Sequence, residues 1–535
     1  MLDVLISNGL IVDGTGNTAY NADIGIIDDK IVKIEKDLSM EAEKIIDASG
    51  LVVCPGFIDV HSHNDLVTFM SEKIRGLKLM QGVTTELVGQ CGLGVIPCVN
   101  GKDAGWKNYI KGVVGNPDLK WSFHDLDEYM DSIGSRGLKN NYGILISHGA
   151  VRTSVMGFNS KIPDEDQLQR MCYLVDDAMK KGAFGMSFGL QYVPGIFSRK
   201  HELTALCKVV KNYNGIVMVH VRNHDNTMKK ALNEIISVAR ESGVRLQISH
   251  MRSYNSKELG CSAESLIEIV EEAAKRGVTV TFDEHLYLSG STLMTQLLPP
   301  WITEKGTDEL IRMLKDVKSL DRVKREIADT SINYTGWDNY SAIAGWDGIL
   351  ITSLKKPENL KYIGKTIGEI SKSLSIHPVD FMAGLLIEEN TGVGIVTLNI
   401  FSDEDTVELI KHPLQMVGSD SIPAGVPHPR LYGNYPLFIG KFIREKKAVS
   451  LEKGIYKSTL FPAVTLGLED RGQLAVGKTA DITVFDFNEI SGYEDYSNPR
   501  KDPVGIKHVV LNGKIAVENG IPHKEDYGIT IRHHF

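Results

Sequence analysis

Two histidines that stand two residues apart are the first feature of this sequence that could do chemistry. His61 and His63 directly follow an apolar run at residues 51–60. Residues two apart on a β-strand point to the same face, so the two imidazoles could bind one metal ion. An isolated pair of this kind is equally consistent with solvated histidines at a strand end. A metal site is therefore the first hypothesis, and it requires further ligands elsewhere in the chain.

Other residues that bind metals or transfer protons occur at the ends of predicted strands. Short β-rich or apolar runs predict strands at 51–61, 83–88, 142–146, 183–186, 216–219, 245–248, 278–282 and 414–417. Helical periodicity between many of them predicts an α/β fold, a (β/α)8 TIM-like barrel, in which functional residues collect at the carboxyl ends of the strands. Cys91, His220, His250 and Asp420 follow the second, fifth, sixth and eighth of these strands.

The shared position of these residues favours a metal site. Taken singly, each also has a structural interpretation, as a buried histidine, a small apolar cysteine or an N-capping aspartate. Together, thiolate and imidazole ligands at one barrel face indicate zinc. We expect Cys91, His220 and His250 to form an open three-ligand site, with His61 and His63 available for a second and weaker ion. The alternative is a closed structural zinc site, which suits ligands spread around a barrel mouth poorly.

The sequence pattern divides the chain into a barrel and a second domain. Residues 1–54 and 465–535 contain short strands and Asn-Gly or Asp-Gly turns, which predict a small composite β-sandwich domain built from both ends of the chain. The barrel then occupies 55–464. Its stretch 288–413, between strands seven and eight, is too long for a loop and predicts an insertion or lid. The tryptophans of this insertion could line an acyl-group pocket, but we expect them in its own core: Trp301, Trp337 and Trp346.

The overall composition is that of an ordinary globular protein. The 535 residues are 42% hydrophobic and 24% charged, and they carry a formal net charge of −9. This charge, without a basic stripe of interleaved aromatics, argues against nucleic acid as a partner. No apolar segment is long enough to cross a membrane, and no secretory leader is recognisable. Six cysteines in so long a chain do not form a disulfide framework, so we expect a cytoplasmic protein, whose oligomeric state the sequence does not indicate.

Longer motifs resemble one enzyme family. Residues 55–63 resemble the signature of the amidohydrolase superfamily, and the split β-domain is similar to the one that this superfamily carries. The resemblance narrows to the N-acyl-D-amino-acid deacylases, or D-aminoacylases, over motifs that extend along nearly the whole chain: 81–92, 249–252, 418–420, 428–433 and 470–481. Other amidohydrolases bridge two metal ions with a carboxylated lysine after strand four, where this chain has Gly185-Met186-Ser187. The resemblance implies that Cys91 bridges instead, with one zinc held tightly and a second metal held weakly.

The resemblance also implies a reaction, the zinc-dependent hydrolysis of small N-acyl-D-amino acids to a carboxylate and a D-amino acid. We expect Asp420 to act as general base toward the attacking water and then as general acid toward the departing amine. An arginine suits the substrate α-carboxylate, with Arg430 the first choice and Arg252 the second. Tyr192 and Tyr287 stand where the family has tyrosines that contact the substrate or the oxyanion.

Two other functions stay open from the sequence. An amidohydrolase of the same fold could act on D-dipeptides or cyclic amides, and a protein without catalysis could keep the scaffold for binding. The presence of every metal position and of Asp420 argues against a binding protein. His148 and Asp283 end strands three and seven, where each could enter the pocket or hydrogen-bond the residues that do. Specificity for the D configuration rests on the resemblance alone.

Overall fold

A computed structural model of the protein describes residues 1–99, 103–255 and 261–535. The strands of this part of the chain, numbered in order, are β1 Leu2–Ile11, β2 Tyr20–Ile27, β3 Lys30–Glu35, β4 Ala42–Asp47, β5 Val52–Pro55, β6 Phe57–Asp59, β7 Val83–Val88, β8 Asn141–Ser147, β9 Gly185–Gly189, β10 Ile216–His220, β11 Arg245–Ile248, β12 Val280–Glu284, β13 Gly290–Leu293, β14 Ile349–Ser353, β15 Gly394–Thr397, β16 Gln415–Val417, β17 Ile482–Phe485, β18 Ile506–Leu511, β19 Lys514–Glu518 and β20 Ile521–Pro522.

The helices separate most of the central strands. The α-helices span Glu72–Arg75, Asp103–Val114, Leu126–Arg136, His148–Met156, Glu165–Lys180, Lys200–Asn212, Met228–Ser242, Ala263–Lys275, Pro300–Thr303, Thr307–Lys315, Val317–Ala328, Tyr340–Ala344, Ile367–Leu374, Pro378–Glu388, Asp403–Lys411, Arg430–Leu437, Leu451–Ser458 and Leu460–Leu466. A π-helix covers Phe438–Glu445. Short 3-10 helices cover Val67–Phe69, Leu79–Gln81, Gly195–Phe197, Met294–Leu297, Trp346–Gly348 and Pro357–Tyr362.

Eight parallel strands form the predicted barrel. They pair in the order β16-β12-β11-β10-β9-β8-β7-β6, and a parallel bridge between Ser62 and Ser421 joins the two ends of this sheet. Each of the eight predicted strands overlaps one of these, so the prediction of a (β/α)8 barrel is confirmed. The strands read as buried runs because helices cover the outer face and side chains fill the interior.

The helices around the barrel form where the sequence carries both a start signal and an apolar stripe. The helix Glu165–Lys180 begins with a capping box in which Asp164 accepts from the backbone N–H of Gln167. Its buried residues recur at helical spacing and belong to the large cluster that packs against the barrel: Leu168, Met171, Val175, Ala178 and Met179. Such a stripe buries one helix face against the strands and leaves the other in solvent.

The first predicted strand, 51–61, is in fact two strands that belong to different sheets. Pro55 pairs with Ile482 in the terminal sheet, and Phe57 pairs with Val83 in the barrel. Gly56 lies between them, where a Cβ atom would stand 2.2 Å from Thr84 Oγ1. A larger residue at this crossing would clash with Thr84, so glycine suits the position.

Both ends of the chain contribute to one nine-stranded sheet. Its strands follow the order β20-β19-β18-β17-β5-β1-β2-β3. Outside this order, β4 pairs in parallel with the first part of β1. The antiparallel pairing of β17 with β5 connects the two ends, which the sequence predicts to lie together. The boundaries at 54 and 465 and the sandwich form of this domain stay predictions.

The long stretch between strands seven and eight of the barrel has a core of its own. It contains the three-stranded sheet β13-β15-β14 and several short helices. Trp337 lies in a buried cluster within this stretch, and Trp301 and Trp346 pack against that cluster. The tryptophans thus occupy the position expected of them. Within the described residues, no helix is long and apolar enough to cross a membrane.

Candidate active site

The candidate metal ligands gather at the carboxyl ends of the barrel strands. His61 and Cys91 follow β6 and β7, His220 is the last residue of β10, and His250 and Asp420 follow β11 and β16. Cys91, His250 and Asp420 have left-handed backbones, with φ values of 53°, 34° and 48°. Non-glycine residues rarely adopt this conformation, so the surrounding structure must hold these three backbones in place.

A tight turn after β7 presents the thiol of Cys91. Gly89 has a φ of +82°, and a Cβ atom there would lie 2.3 Å from the carbonyl oxygen of Leu145. Gly92 has a φ of +65°, and its Cβ would lie 2.7 Å from the backbone nitrogen of Gly189. Both positions therefore require glycine, as the glycine-rich sequence around Cys91 predicts.

Two groups of potential ligands meet at Cys91. One contains His61, His63, Cys91 and Asp420, and the other contains Cys91, His220 and His250. Within each group the potential ligand atoms lie within 4.8 Å of one another. Because Cys91 belongs to both groups, its sulfur occupies the place of a ligand that two ions would share.

The distances fit zinc. Cys91 Sγ lies 3.3 Å from His61 Nε2 and 3.6 Å from His250 Nε2. Tetrahedral zinc with bonds of 2.0–2.3 Å requires ligand atoms about 3.3–3.8 Å apart. His220 Nδ1 lies closer to His250 Nε2, at 2.9 Å. The donor set of one sulfur and several imidazoles is also the one that zinc prefers among the common metals.

The protonation states of His220 and His250 suit metal binding. Burial lowers the pKa of His250 to about 4 and that of His220 well below its usual value, so both rings are neutral and can act as ligands. Burial raises the pKa of the Cys91 thiol. Burial also opposes ionisation of Asp420, but the Arg430 guanidinium, His63, His61 and His250 together outweigh it and hold the pKa of this carboxyl well below its usual range. A cation is what would favour the thiolate over the thiol at Cys91.

Two buried side chains orient the ligands. Asp283 Oδ1 lies 3.2 Å from His61 Nδ1 and accepts from the backbone N–H of His250 at 3.0 Å. Gln191 Oε1 lies 2.7 Å from His220 Nε2. This contact holds the His220 ring in the orientation in which Nδ1 points toward His250. Asp283 therefore hydrogen-bonds the ligands, which is one of the two roles that the sequence left open for it.

The two groups of potential ligands lie at a cleft of about 520 Å³. Leu93, Val113 and Ile422 form an apolar part of its wall. Tyr192 and Arg430 line the cleft, and Arg430 Nη2 lies 3.0 Å from Asp420 Oδ2. The arrangement brings a carboxylate, a guanidinium and the potential metal ligands to one space.

Arg252 and Tyr287, the other two residues predicted to bind substrate, are not among those that line this cleft. Arg252 is fully buried and donates to the carbonyl of Tyr287 at 3.0 Å and to Thr406 Oγ1 at 3.1 Å. The hydroxyl of Tyr287 donates to the carbonyl of Pro429 at 3.3 Å. Both side chains thus lie outside the cleft lining. Their predicted contact with substrate stays a prediction.

His148 also lies outside the cleft. Its Nε2 is 2.8 Å from Glu202 Oε1, and Arg152 pairs with the other carboxylate oxygen. Burial alone would raise the pKa of Glu202, but His148 and Arg152 outweigh it and lower it to about 2. His148 is therefore part of a buried ion-pair network in the helices beyond β8.

Three residues of the site were missed from the sequence. His224 and His285 line the cleft, and Gln191 bonds His220. His224 is buried, with its ring centroid 4.7 Å from that of His220 and both ring nitrogens without a hydrogen-bond partner among the described residues. Its place four residues after a predicted ligand is the one signal that could have identified it.

Comparison with known sequences assigns this chain to a family. The sequence model described as "Amidohydrolase family" matches residues 44–310 and 371–517. The chain belongs to the amidohydrolase family. This membership confirms the superfamily resemblance, and with it the expected class of metal-dependent hydrolases of amide bonds.

Two relatives of this amidohydrolase come from Alcaligenes xylosoxydans xylosoxydans. An N-acyl-D-glutamate deacylase is 28% identical over 516 residues, which is 96% of this chain and 93% of the relative. A D-aminoacylase is 27% identical over 512 residues, which is 96% of this chain and 93% of the relative. These matches confirm the narrower resemblance to the deacylases of N-acyl-D-amino acids.

Solved structures of deacylases have the same fold as this chain. The N-acyl-D-glutamate deacylase of Bordetella bronchiseptica, complexed with zinc and a phosphonate mimic of the tetrahedral intermediate, superposes with a TM-score of 0.83 at 26% identity over 99% of each chain. A D-aminoacylase studied for its binuclear metal centre superposes with a TM-score of 0.83 at 25% identity over the whole of both chains. The amidohydrolase thus shares its overall architecture with a zinc-bound deacylase and with a D-aminoacylase that has a binuclear metal centre.

Proposed function

We propose that this amidohydrolase hydrolyses the amide bond of N-acyl-D-amino acids and releases a carboxylate and a free D-amino acid. The observation that carries the proposal is the Cys91-centred pair of ligand groups with Asp420 and Arg430 beside it in one cleft. The similar deacylases and the zinc-bound structure among them support the same reaction.

Zinc at this site would be held tightly by Cys91, His220 and His250, and a second ion would be held more weakly by His61 and His63. Zinc supplies polarisation of the scissile carbonyl and a lower pKa for water. The number of ions is part of the proposal, and metal analysis of the purified protein after dialysis tests it. One retained equivalent of zinc is the expected result.

Asp420 moves the proton. Its Oδ1 lies 3.4 Å from His61 Nε2 and 3.3 Å from His63 Nε2, so this oxygen faces the two histidines of the group to which Asp420 belongs. As an ionised carboxylate it accepts a proton from the attacking water, and it then donates that proton to the nitrogen of the departing amine. The Tyr192 hydroxyl, on the wall of the same cleft, is placed to donate to the developing oxyanion.

Arg430 binds the α-carboxylate of the substrate. It is fully buried, it lines the cleft, and its Nε has no hydrogen-bond partner among the described residues. An unpaired guanidinium N–H in such a place favours a carboxylate ligand. Arg252 already donates to Tyr287 and Thr406, so its contribution is to position the wall behind Arg430.

A cyclic amide is the less favoured substrate. The D-hydantoinase structure matches with a TM-score of 0.57 at 17% identity, which shows a common fold alone. Strand β9 reads Gly-Met-Ser-Phe-Gly and carries no lysine. The bridging role therefore falls to Cys91, in contrast to the carboxylated lysine of other amidohydrolases.

A panel of substrates tests the proposal. Zinc-loaded enzyme is assayed with N-acetyl-D and N-acetyl-L amino acids, with D-dipeptides and with hydantoins. The expected result is turnover of the D series with kcat/KM at least a hundredfold above the L series. Preference for the L series or for a cyclic amide would refute the proposed specificity, and no turnover of any compound would favour a binding protein. The cytoplasmic location is a separate proposal, supported by the six free cysteines.

A further inference from the structure

The seam at which the barrel closes contains a buried lysine. The order of the barrel strands begins with β16 and ends with β6, and in the described part of the chain one isolated bridge, between Ser62 and Ser421, joins the ends of these two strands. Lys78 lies beside this seam, directly before the 3-10 helix Leu79–Gln81, and only 2% of its surface is exposed. A lysine is seldom buried to this extent unless it is paired with a carboxylate.

The ammonium of Lys78 contacts one residue on each side of the seam. Its Nζ donates to Asp59 Oδ2, on β6, at 2.5 Å and to Ser419 Oγ, after β16, at 2.7 Å. Asp59 and Ser419 are also fully buried. A buried ion pair often adds no net stability over apolar residues of similar size, because both charges lose their hydration. Such a pair at the seam therefore favours a role in positioning.

The two partners of Lys78 connect it to the active site. Asp59 Oδ1 accepts from the backbone N–H of Ser419 at 2.9 Å and from that of His61 at 3.2 Å. Ser419 Oγ donates to the carbonyl of His61 at 3.2 Å. The same carbonyl accepts from the backbone N–H of Asp420 at 2.8 Å. Together these bonds join the segment that carries His61 to the segment that carries Asp420.

We propose that Lys78 is a positioning residue for proton transfer, which sets the place of Asp420 relative to His61 by holding Asp59 and Ser419 together. The distance that it controls is the one between Asp420 Oδ1 and His61 Nε2, which is 3.4 Å. A displacement of about 1 Å in a reacting group can cost about a hundredfold in rate. Lys78 is not among the residues that line the cleft, so it acts on the reaction through Asp420. The effect on rate rests on the proposed function, whereas the effect on position does not.

Lys78→Met tests the proposal, because methionine has a similar length and carries neither the charge nor the donors. Lys139→Met is the matched control, since Lys139 is also buried but bonds the carbonyls of His523 and Glu525, outside the cleft lining. Both variants are expected to unfold at lower urea concentration. Only Lys78→Met is expected to lower kcat at least about tenfold, with KM within about threefold of the wild type, because Arg430 keeps its place. Equal kcat values in the two variants would overturn the proposal.

Ser419→Ala keeps the test valid if Lys78→Met does not fold. It removes one acceptor of Lys78 and leaves the buried charges paired, so kcat is expected to fall at least about threefold. Ser421→Ala makes the same change at a hydroxyl that bonds Ser62 and Asn64 instead, and it is expected to keep the kcat of the wild type. Where both single variants fold, the double variant Lys78→Met/Ser419→Ala is expected to lose less than the product of the two single losses, because both remove the same contact. Losses that multiply would overturn the proposal.

Crystal structures of the zinc-loaded enzyme measure the position without turnover. In Ser419→Ala, Asp420 Oδ1 is expected to move by at least about 0.5 Å relative to His61 Nε2, which is the tolerance of a catalytic arrangement. In Ser421→Ala the two atoms are expected to stay as in the wild type. An unchanged distance in Ser419→Ala would overturn the proposal. If the enzyme turns over no N-acyl-D-amino acid, the proposed function fails, while these structures still decide whether Lys78 and Ser419 position Asp420.

Discussion

Replacement of Asp420 by asparagine separates proton transfer from metal binding. The side chain faces His61 and His63 through Oδ1, and it pairs with Arg430 through Oδ2 at 3.0 Å. Asparagine has nearly the same shape, and its amide oxygen can take the place of Oδ2 beside Arg430 Nη2. It cannot accept a proton from water at neutral pH. The substitution therefore removes the chemistry and keeps the packing.

The expected magnitude follows from the role of a positioned acid and base. General acid–base catalysis contributes about 10²–10⁴ in rate, which corresponds to about 3–5 kcal/mol of transition-state stabilisation. We therefore expect Asp420→Asn to lower kcat by that factor. The three tight ligands are Cys91, His220 and His250, so the zinc content should stay near that of the wild type.

The assay combines kcat with zinc analysis by mass spectrometry on the same sample. Asp502→Asn makes the same chemical change at an exposed aspartate that pairs with Lys73, and it serves as the control with wild-type values expected. A kcat for Asp420→Asn within tenfold of the wild type would refute the role in proton transfer. Loss of zinc in this variant would instead make Asp420 a ligand and contradict the three-residue site.

Three other predictions concern the ligands, the turn that presents one of them, and the buried ion pairs. Cys91→Ala should lose its zinc and at least 10³-fold in kcat, whereas the double variant of His61 and His63 to alanine should keep one zinc and lose less activity, as metal analysis and kcat will show. Gly89→Ala should lower the free energy of unfolding by at least about 2 kcal/mol in urea titrations, because its Cβ would lie 2.3 Å from the Leu145 carbonyl oxygen. Glu202→Gln should lower the free energy of unfolding by about 3 kcal/mol at pH 7, because the folded protein holds the pKa of this carboxyl at about 2.

Each of these predictions has an outcome that contradicts it. Equal zinc loss in Cys91→Ala and in the histidine double variant would show that the ions are not held unequally. Gly50 also has a positive φ, of +76°, but open space around its Cβ, so Gly50→Ala should destabilise much less than Gly89→Ala. Because the pKa of Glu202 is lowered in the folded protein, this carboxyl stabilises the fold at pH values above about 4.5, the pKa that it has in the unfolded chain. This contribution disappears as the pH falls toward 2. The difference between Glu202→Gln and the wild type should therefore shrink over that range, and a difference independent of pH would contradict the assignment.

The arrangement of the barrel could be predicted from the sequence because its signals are local. Apolar strands alternate with amphipathic helices, and the eight predicted strands all overlap barrel strands. Once the barrel is predicted, the rule that functional residues lie at the carboxyl ends of the strands brings His61, Cys91, His220, His250 and Asp420 together. That juxtaposition is also what the structure shows.

The change of sheet at Gly56 could not be predicted in the same way. The apolar run 51–61 is continuous, and nothing local in it distinguishes the strand that joins the terminal sheet from the one that begins the barrel. The distinction depends on the pairing partners, which are β17 near the end of the chain for one strand and β7 for the other.

The sequence by itself determined the ligand types, their order along the barrel and the family. Only the tertiary structure decided which polar residues face the cleft and which support it from behind. Arg252 and Arg430 are both buried arginines near the ends of barrel strands, yet only Arg430 lines the cleft. The direction of a long side chain depends on the partners that surrounding elements offer, here the Tyr287 carbonyl and Thr406 for Arg252 and the Asp420 carboxylate for Arg430. Those partners lie in other segments of the chain, at separations from 10 to 154 residues, so no fixed spacing within the sequence specifies them.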